Sequence, residues 1–267
     1  MYRMKKMKNK IKKFAQKQGI EYCGFTKADD KSAIVFLFPY FSKYEKNSNL
    51  SIYTYAKDYH IVIKDYLTKI CSYIKKMIPD FNYKIYSDIS PYNDIELAYR
   101  AGLGIIGKNH LLINEKYGSF VFIGYIITET AFDIDFPLSG ECLNCRKCVK
   151  ACPTGTLLSG DFSKCLSSLT QKKGELTDTE KALIRENGYA FGCDICQSVC
   201  PMNLNITTPI PEFKENLKTK ITSGDFIGLS NKTFKKLYKE KAFSWRGKQI
   251  LLRNLSLLEN GEENPQE

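Results

Sequence analysis

Apolar positions recur at helical spacing from the start of the chain. Ile11, Phe14 and Ala15 fall on one side of a lysine-rich stretch, predicting an amphipathic helix over residues 1–17. Strands are expected over 20–25 and 33–38, the second a continuous apolar run bounded by Pro39. From 58 to 77 helical spacing returns through Ile61, Ile63, Tyr66, Leu67, Ile70 and Ile74. A shorter helix over 95–101 should end at Gly102, because glycine readily takes the left-handed conformation that stops a helix. Two further strands are expected over 111–114 and 120–127, with Gly118 and Ser119 marking the turn between them.

The texture changes at Asp133. From there to Asn203 the chain is rich in turn residues and holds eight of the ten cysteines. After Pro209 helical patterning resumes, over 228–258, and the polar tail after Glu259 reads as a frayed end. These shifts predict three stretches: 1–132, a cysteine-rich 133–205, and a helical 206–267. No repeat or low-complexity block is present.

Composition narrows the class. Of 267 residues 43% are apolar and 26% charged, as in globular proteins. The longest membrane-span candidate, 33–42, is too short and contains Pro39, so no membrane association is expected. The charge is +11, and residues 1–17 hold Arg3, Lys5, Lys6, Lys8, Lys10, Lys12, Lys13 and Lys17 with no acid. Such a balance suits a polyanion, nucleic acid above all, or simply reflects a lysine-rich composition. No apolar signal core follows the basic start, so the expected location is cytoplasmic. There the thiols stay reduced, and clustered reduced thiols point to metal.

Cys142, Cys145, Cys148 and Cys152 stand in C-x2-C-x2-C-x3-C, followed by Pro153. This is the bacterial ferredoxin spacing for a 4Fe-4S cluster, in which the fourth cysteine serves the other cluster. Zinc sites more often show two separated pairs. A second group, Cys193, Cys196 and Cys200 before Pro201, is one ligand short. Cys165 either completes it or is a buried free thiol. With Cys165 included, Cys142, Cys145, Cys148 and Cys200 hold one cubane, and Cys152, Cys165, Cys193 and Cys196 the other. Cys23 and Cys71 read as small core residues. Two adjacent clusters suit either an electron carrier or an enzyme, and some 130 residues precede them, more than a carrier needs.

Gly102, Gly104 and Gly107 fit neither a phosphate loop nor a dinucleotide fingerprint, though a loop lying flat on a planar cofactor would also lack side chains. Here four blocks resemble the epoxyqueuosine reductases, cobalamin-dependent iron–sulfur enzymes of tRNA modification. They are 53–60 (YTYAKDYH), 88–109 (Asp88 through Asn109), the two cysteine groups with 192–197 (GCDICQ), and Leu252-Arg253-Asn254. The resemblance runs from about Ile52 to Leu258, with a weaker one in the first two strands.

The resemblance implies an α/β (α+β) fold: a nitroreductase-like cobalamin domain, a ferredoxin-like domain with two 4Fe-4S clusters, and a short helical C-terminal segment. It implies reduction of epoxyqueuosine to queuosine at the tRNA wobble position, with Asp88 the proton donor beside cobalt. Gly102, Gly104, Gly107, Lys108 and Asn109 would lie near the corrin. On residues alone, Asp88 reads first as a cap of the loop before Pro91. As the acid, its pKa should be raised by burial against an apolar ring. Departures are Asp94, Ile95 and Ala56 at positions where the family has Glu, a basic residue and Gly. Only residues 26–32 fill a place where relatives carry a longer Met-Arg-rich segment, and the family's C-terminal helical repeats are not matched.

Expected partners are epoxyqueuosine-bearing tRNA and an external flavodoxin- or ferredoxin-type electron donor, with the chain itself a monomer. Phosphate contacts are expected from the N-terminal lysines, Lys172-Lys173, Lys235-Lys236 and Lys248. Tyr53, Tyr55 and Tyr92 are candidate base stackers, His60 reads as structural, and Tyr59 as packing or as lining a substrate entrance. A cobalamin reductase of small molecules, dehalogenase-like, and a non-catalytic electron-transfer module are the competing readings.

Overall fold

The computed structural model describes residues 2–259. The side chain of Arg3 and the tail after Glu259 lie outside the described residues. By contact the chain forms two compact units: Met1–Phe41, Tyr59–Cys145 and Pro201–Glu212 in the first, Ser42–Asp58, Arg146–Cys200 and Phe213–Glu267 in the second. The expected stretches 1–132, 133–205 and 206–267 do not follow these units. Texture reports contiguous stretches, whereas each unit gathers segments far apart in sequence.

The first unit is built on an antiparallel sheet. Its strands are β1 (Cys23–Ala28), β2 (Lys31–Pro39), β3 (Tyr83–Ser87) and β6 (Val121–Thr128), ordered β1-β2-β6-β3. The β2 strand is apolar from Ala33 to Pro39 because both its faces are covered. Ala33, Val35 and Leu37 share a core with Ile123, Tyr125 and Ile127 of β6 and with Leu97, Ala98 and Ala101. The latter belong to α3 (Asp94–Arg100) and its C-cap. On the opposite face lies α2 (Tyr59–Met77), where Phe38 meets Tyr66 edge-on at 6.0 Å. A methyl at Gly124 would come within 2.4 Å of Ile63, so α2 sits directly on the strand.

Local signals set the ends of these elements. The Asn93 side chain accepts the Glu96 N–H at 3.0 Å and caps α3, which stops at Gly102 with φ +71°. Helix α1 (Tyr2–Lys17) buries Ile11 and Ala15, and Phe14 stacks on Tyr73 at 4.1 Å. The lysine run is less free than its sequence suggests. Lys8 and Lys12 reach Asp135 at 2.8 and 2.9 Å, and Lys8 is buried. Asp135 also donates its N–H to the Phe25 carbonyl and accepts the Phe25 N–H on Oδ2, so these two lysines tie α1 to β1 and are not open to phosphate.

Segment 201–212 is stitched into the same unit. Asn203 accepts the Ser119 N–H at 2.7 Å, Thr208 donates to the Pro39 carbonyl at 2.6 Å, and Tyr66 donates to Glu212 at 3.1 Å. A small hairpin, β4 (Ile105–Ile106) with β5 (Leu112–Ile113), completes the unit.

The second unit consists of short helices: α4 (Lys147–Ala151), α5 (Thr156–Ser159), α6 (Leu166–Thr170), α7 (Asp178–Asn187), α8 (Ile195–Ser198), α9 (Asn231–Tyr238) and α10 (Lys248–Glu259). Side chains rather than strands join them. Buried Asn254 donates to the carbonyls of Thr170 and Ala190 at 2.7 and 2.9 Å, and Asn49 bonds Ile221 in both directions. The Lys241 ammonium holds the carbonyls of Tyr55, Ala56 and Asn216. An aromatic core of Phe226, Phe234, Tyr238 and Phe243 packs under α9. Among the described residues no helix is long and apolar enough to cross a membrane.

Close packing of β1 on the C-terminus of α3 gives a direct test. A methyl at Gly24 would stand 2.2 Å from the Ala101 carbonyl oxygen, a backbone atom that cannot swing aside. Gly24→Ala should cost ~1–3 kcal/mol, read as a lowered thermal unfolding midpoint.

Candidate active site and cluster ligands

Asp88 follows the last residue of β3, and Tyr59 and His60 open α2. Because β3 returns antiparallel along the helix that precedes it, the end of the strand meets the start of the helix. There Tyr59 Oη donates to Asp88 Oδ2 at 2.9 Å, and His60 Nε2 lies 3.5 Å from the same oxygen. An aromatic stack fixes both donors: Tyr40 on Phe122 at 4.3 Å, Phe122 on Tyr59 at 4.3 Å, and Tyr59 on His60 at 4.0 Å. Sequence reasoning set His60 aside as structural. Its adjacency to Tyr59 at a helix start was visible, but the partner carboxylate, 28 residues on, was not.

The alternative of a loop-capping Asp88 does not describe this geometry. Ser90 closes the loop, accepting the Tyr92 N–H at 2.9 Å, donating to the Tyr92 carbonyl and pairing with Tyr125 Oη. Asp88 itself stands at φ +67°, a strained conformation for a residue with a side chain, and turns its carboxylate toward α2. The side chain is 58% exposed, and its neighbour Ile89 is more exposed still.

In the folded chain alone the shift runs the other way from the one expected against an apolar ring. The His60 hydrogen bond holds the Asp88 carboxyl below the usual carboxylate range, burial opposes it, and the Tyr59 hydrogen bond adds to the lowering. Bonds donated to the charged form outweigh the partial burial. As folded, Asp88 is a carboxylate at neutral pH.

The glycines meet a packing need within the chain. Gly104 and Gly107 are buried, and a methyl on them would strike the Ile113 carbonyl oxygen at 2.5 Å and Asn109 Oδ1 at 2.4 Å. At Gly102 the obstacle is the Phe136 carbonyl oxygen at 2.4 Å. Close approach of the chain to itself therefore explains all three. Asn109 is different: it is buried, and its Nδ2 has no hydrogen-bond partner among the described residues. A buried amide donor left open in this way suits a polar group brought by a ligand. Lys108 is exposed beside it.

The cysteines sit at the ends of the short helices. Cys152 closes α4, Cys165 precedes α6, and Cys196 lies on α8, with Cys193 just before it. Cys196 feels the charges of Cys193, Cys165 and Cys152, and Cys193 those of Cys165 and Cys152. The four thiols thus lie within mutual electrostatic reach, although among the described residues no three Cys, His, Asp or Glu side chains close on a single metal ion. Burial pushes the Cys193 thiol up to about 12 and raises Cys196 as well. Cys152 is lowered: burial raises it, but the Thr154 hydroxyl and the N–H groups of Leu157, Thr154 and Thr156 prevail. Buried thiols of this kind become thiolates only beside a cationic partner, which is what cluster iron offers. Of the other set, Cys148 is buried, Cys142 and Cys200 are half-buried and Cys145 is exposed. Cys23 and Cys71 are buried.

Comparisons with known proteins bear on both sites. Residues 27–89, which include Tyr59, His60 and Asp88, match the family model "Epoxyqueuosine reductase QueG, DUF1730". Residues 141–203, which include all eight clustered cysteines, match "4Fe-4S double cluster binding domain". An epoxyqueuosine reductase of Lactococcus garvieae is 31% identical over 94% of this chain and 86% of its own length. The chain belongs to the epoxyqueuosine reductase family. Another such reductase, from Bacillus anthracis, is 37% identical over 76% of this chain, and the match spans only 54% of that relative. Among solved structures, an epoxyqueuosine reductase crystallised with a tRNA-Tyr epoxyqueuosine-modified stem loop superposes with a TM-score of 0.86. It is 27% identical, covering 95% of this chain and 81% of that one.

Other family-derived expectations meet specific surroundings. Tyr55 is buried and cannot stack on a base, Tyr53 packs near Phe191, and Tyr92 packs against the α3 core. Lys172 pairs with Glu180 at 2.7 Å and Lys248 is bonded to the Leu229 carbonyl, so neither is a free phosphate ligand.

The hydrogen bonds at Asp88 stabilise the charged form above the ordinary carboxyl range, and that stabilisation is lost as pH falls through the lower folded value. His60→Ala should raise the Asp88 midpoint, and Tyr59→Phe should raise it less, since His60 is the larger cause. Carboxyl-carbon NMR titration measures both. An unmoved midpoint in both variants would show that these bonds do not hold it down.

Proposed function

We propose that this chain reduces epoxyqueuosine to queuosine at the wobble position of tRNA, using cobalamin and two 4Fe-4S clusters, in the cytoplasm. The observation that carries this reading is a conjunction: a double-cluster motif in the same chain as a carboxylate gripped by a tyrosine and a histidine. Membership of the family and its stem-loop-bound relative support the substrate. The reaction takes two electrons and two protons, opens the epoxide, and releases its oxygen as water while the ring double bond forms.

Cys142, Cys145, Cys148 and Cys200 would hold one cluster, and Cys152, Cys165, Cys193 and Cys196 the other. For cobalamin, the open amide of Asn109 and the neighbouring Lys108 fit a ligand with polar side arms, with the backbone of 102–107 beside them. Bound cobalamin supplies a strongly reducing nucleophilic centre, and the clusters supply single electrons from an external flavodoxin- or ferredoxin-type donor.

The chain's own contribution at the epoxide is a proton. An oxygen leaving as alkoxide needs a general acid. Asp88 is the group proposed, with Oδ2 held by Tyr59 and His60 and Oδ1 left to face the substrate. Because Asp88 is ionised as folded, it takes up a proton from solvent on Oδ1 as substrate covers the site and passes that proton to the leaving oxygen, while His60 and Tyr59 hold Oδ2. Tyr59 holds the carboxylate in line. Exposed Ile89 would keep the approach apolar, strengthening these contacts once substrate excludes water.

Asp88→Asn should retain iron, corrinoid and stem-loop binding while turnover falls at least ~100-fold, within the range general acids contribute. Turnover at the parent rate removes Asp88 from the chemistry. Cys165→Ser should lower iron and sulfide after anaerobic reconstitution by about half, as expected when one of two cubanes loses a ligand. Cys71→Ser should leave both unchanged.

A further inference from the structure

We propose that Trp245 and Arg246 form a nucleotide-binding platform on the second unit, where an unpaired RNA base stacks on the indole and a phosphate takes the arginine's open donor. The inference rests on the tRNA reading above and names a part of the surface that holds the RNA.

Trp245 is the single tryptophan of the chain and is 56% exposed. It is nonetheless held rigidly. Its Nε1–H donates to Gln171 Oε1 at 3.0 Å, and the Arg246 guanidinium carbon lies 3.7 Å from the ring centroid. The turn that carries Gln171 is itself pinned, since Arg253 Nη1 donates to the carbonyls of Lys172 and Gly174 at 2.8 Å each. A large aromatic surface fixed in this way loses little side-chain entropy on binding, and every base offers a face to stack on it.

A second, independent observation is the Arg246 Nε. It is buried yet has no hydrogen-bond partner among the described residues. A buried charged donor without an acceptor is costly, and phosphate matches the planar guanidinium fork best. The neighbouring turn adds charge of the same sign. Lys172 is taken by Glu180, whereas Lys173 is exposed and makes no ion pair among the described residues. An aromatic ring bordered by unpaired cations suits single-stranded nucleic acid. An apolar protein segment would use the indole but would leave Arg246 and Lys173 unmatched.

The test uses the full chain, reconstituted with its clusters, and a tRNA-Tyr anticodon stem loop labelled for anisotropy. Trp245→Ala should weaken binding about 10-fold, within the range for loss of one stacked base, and Trp245→Phe should keep most of the affinity. Arg246→Gln should reduce the slope of log affinity against log salt by about one. Because Trp245 is the sole tryptophan, its fluorescence should be quenched as RNA binds, a signal that a packing role would not produce. If the parent binds the stem loop, but Trp245→Ala does so equally and no quench appears, the platform is refuted and the tRNA reading stands. A lowered melting temperature with unchanged affinity would likewise refute it, marking Trp245 as a seat for protein. If the parent binds no stem loop, both readings fall.

Discussion

The meeting of Asp88 with Tyr59 and His60 depends on one constraint: β3 must run back along α2 while both rest on β6. Register supplies it. Tyr86 of β3 stands opposite Tyr125 of β6, and Ser87 opposite Gly124. Gly124 is where α2 presses closest, with Ile63 and Leu67 above it. A side chain at 124 would lift the helix, and the start of the helix carries the two donors. The residue without a side chain in the middle of β6 therefore sets the height of the helix from which the carboxylate is held.

That arrangement makes the chemistry of Asp88 different from that of a carboxyl hidden in an apolar pocket. A buried acid keeps its proton because its charge is unwelcome. Asp88 is largely exposed and accepts two bonds through one oxygen, so its charge is welcome and it stands as a carboxylate. The strained backbone at Asp88 is consistent with a carboxylate aimed by its surroundings rather than by its own loop, which Ser90 closes without it. Acid strength at such a site is set by the occupant that covers it. Displacing water strengthens the Tyr59 and His60 bonds, and a negative oxygen arriving beside Oδ1 favours protonation.

Legibility in the sequence followed burial. The β2 run, the α2 stripe and the stop at Gly102 were readable because burial on one or two faces leaves a regular apolar record. The β3 strand was not: at the sheet edge Tyr-Lys-Ile-Tyr-Ser is only half-buried, and its alternation of aromatic and polar residues resembles a loop. Missing β3 hid the reason that His60 and Asp88 are neighbours. Helix α7 escaped for a similar reason, since Ile184 is its only buried residue, although Thr177 and Glu180 form a capping box that the sequence does display. The cysteine spacing was legible because a cluster imposes it locally. The engagement of Lys8 and Lys12 by Asp135, more than 120 residues away, leaves no local trace.

The second unit poses a harder problem, since helices of four or five residues cannot stabilise themselves. The structure answers it with buried polar ties. Asp194, between Cys193 and Cys196, is fully buried, accepts the Ser51 hydroxyl at 2.5 Å and the Ile52 N–H at 2.8 Å, and is pushed up to about 6 by that burial. Gly192 must lack a side chain because Ser51 Cβ would stand 2.4 Å from its methyl. The chain around the second cysteine group is thus clamped to the 51–52 turn by a carboxylate and a close backbone approach, while Cys193 and Ile195 also pack on the small apolar core of Leu166, Leu176 and Ile184. A scaffold of this kind fixes the backbone from which the thiols project. That is what the proposed ligands of a cubane require, because thiolates from separate short helices must be held at set positions to share one inorganic core.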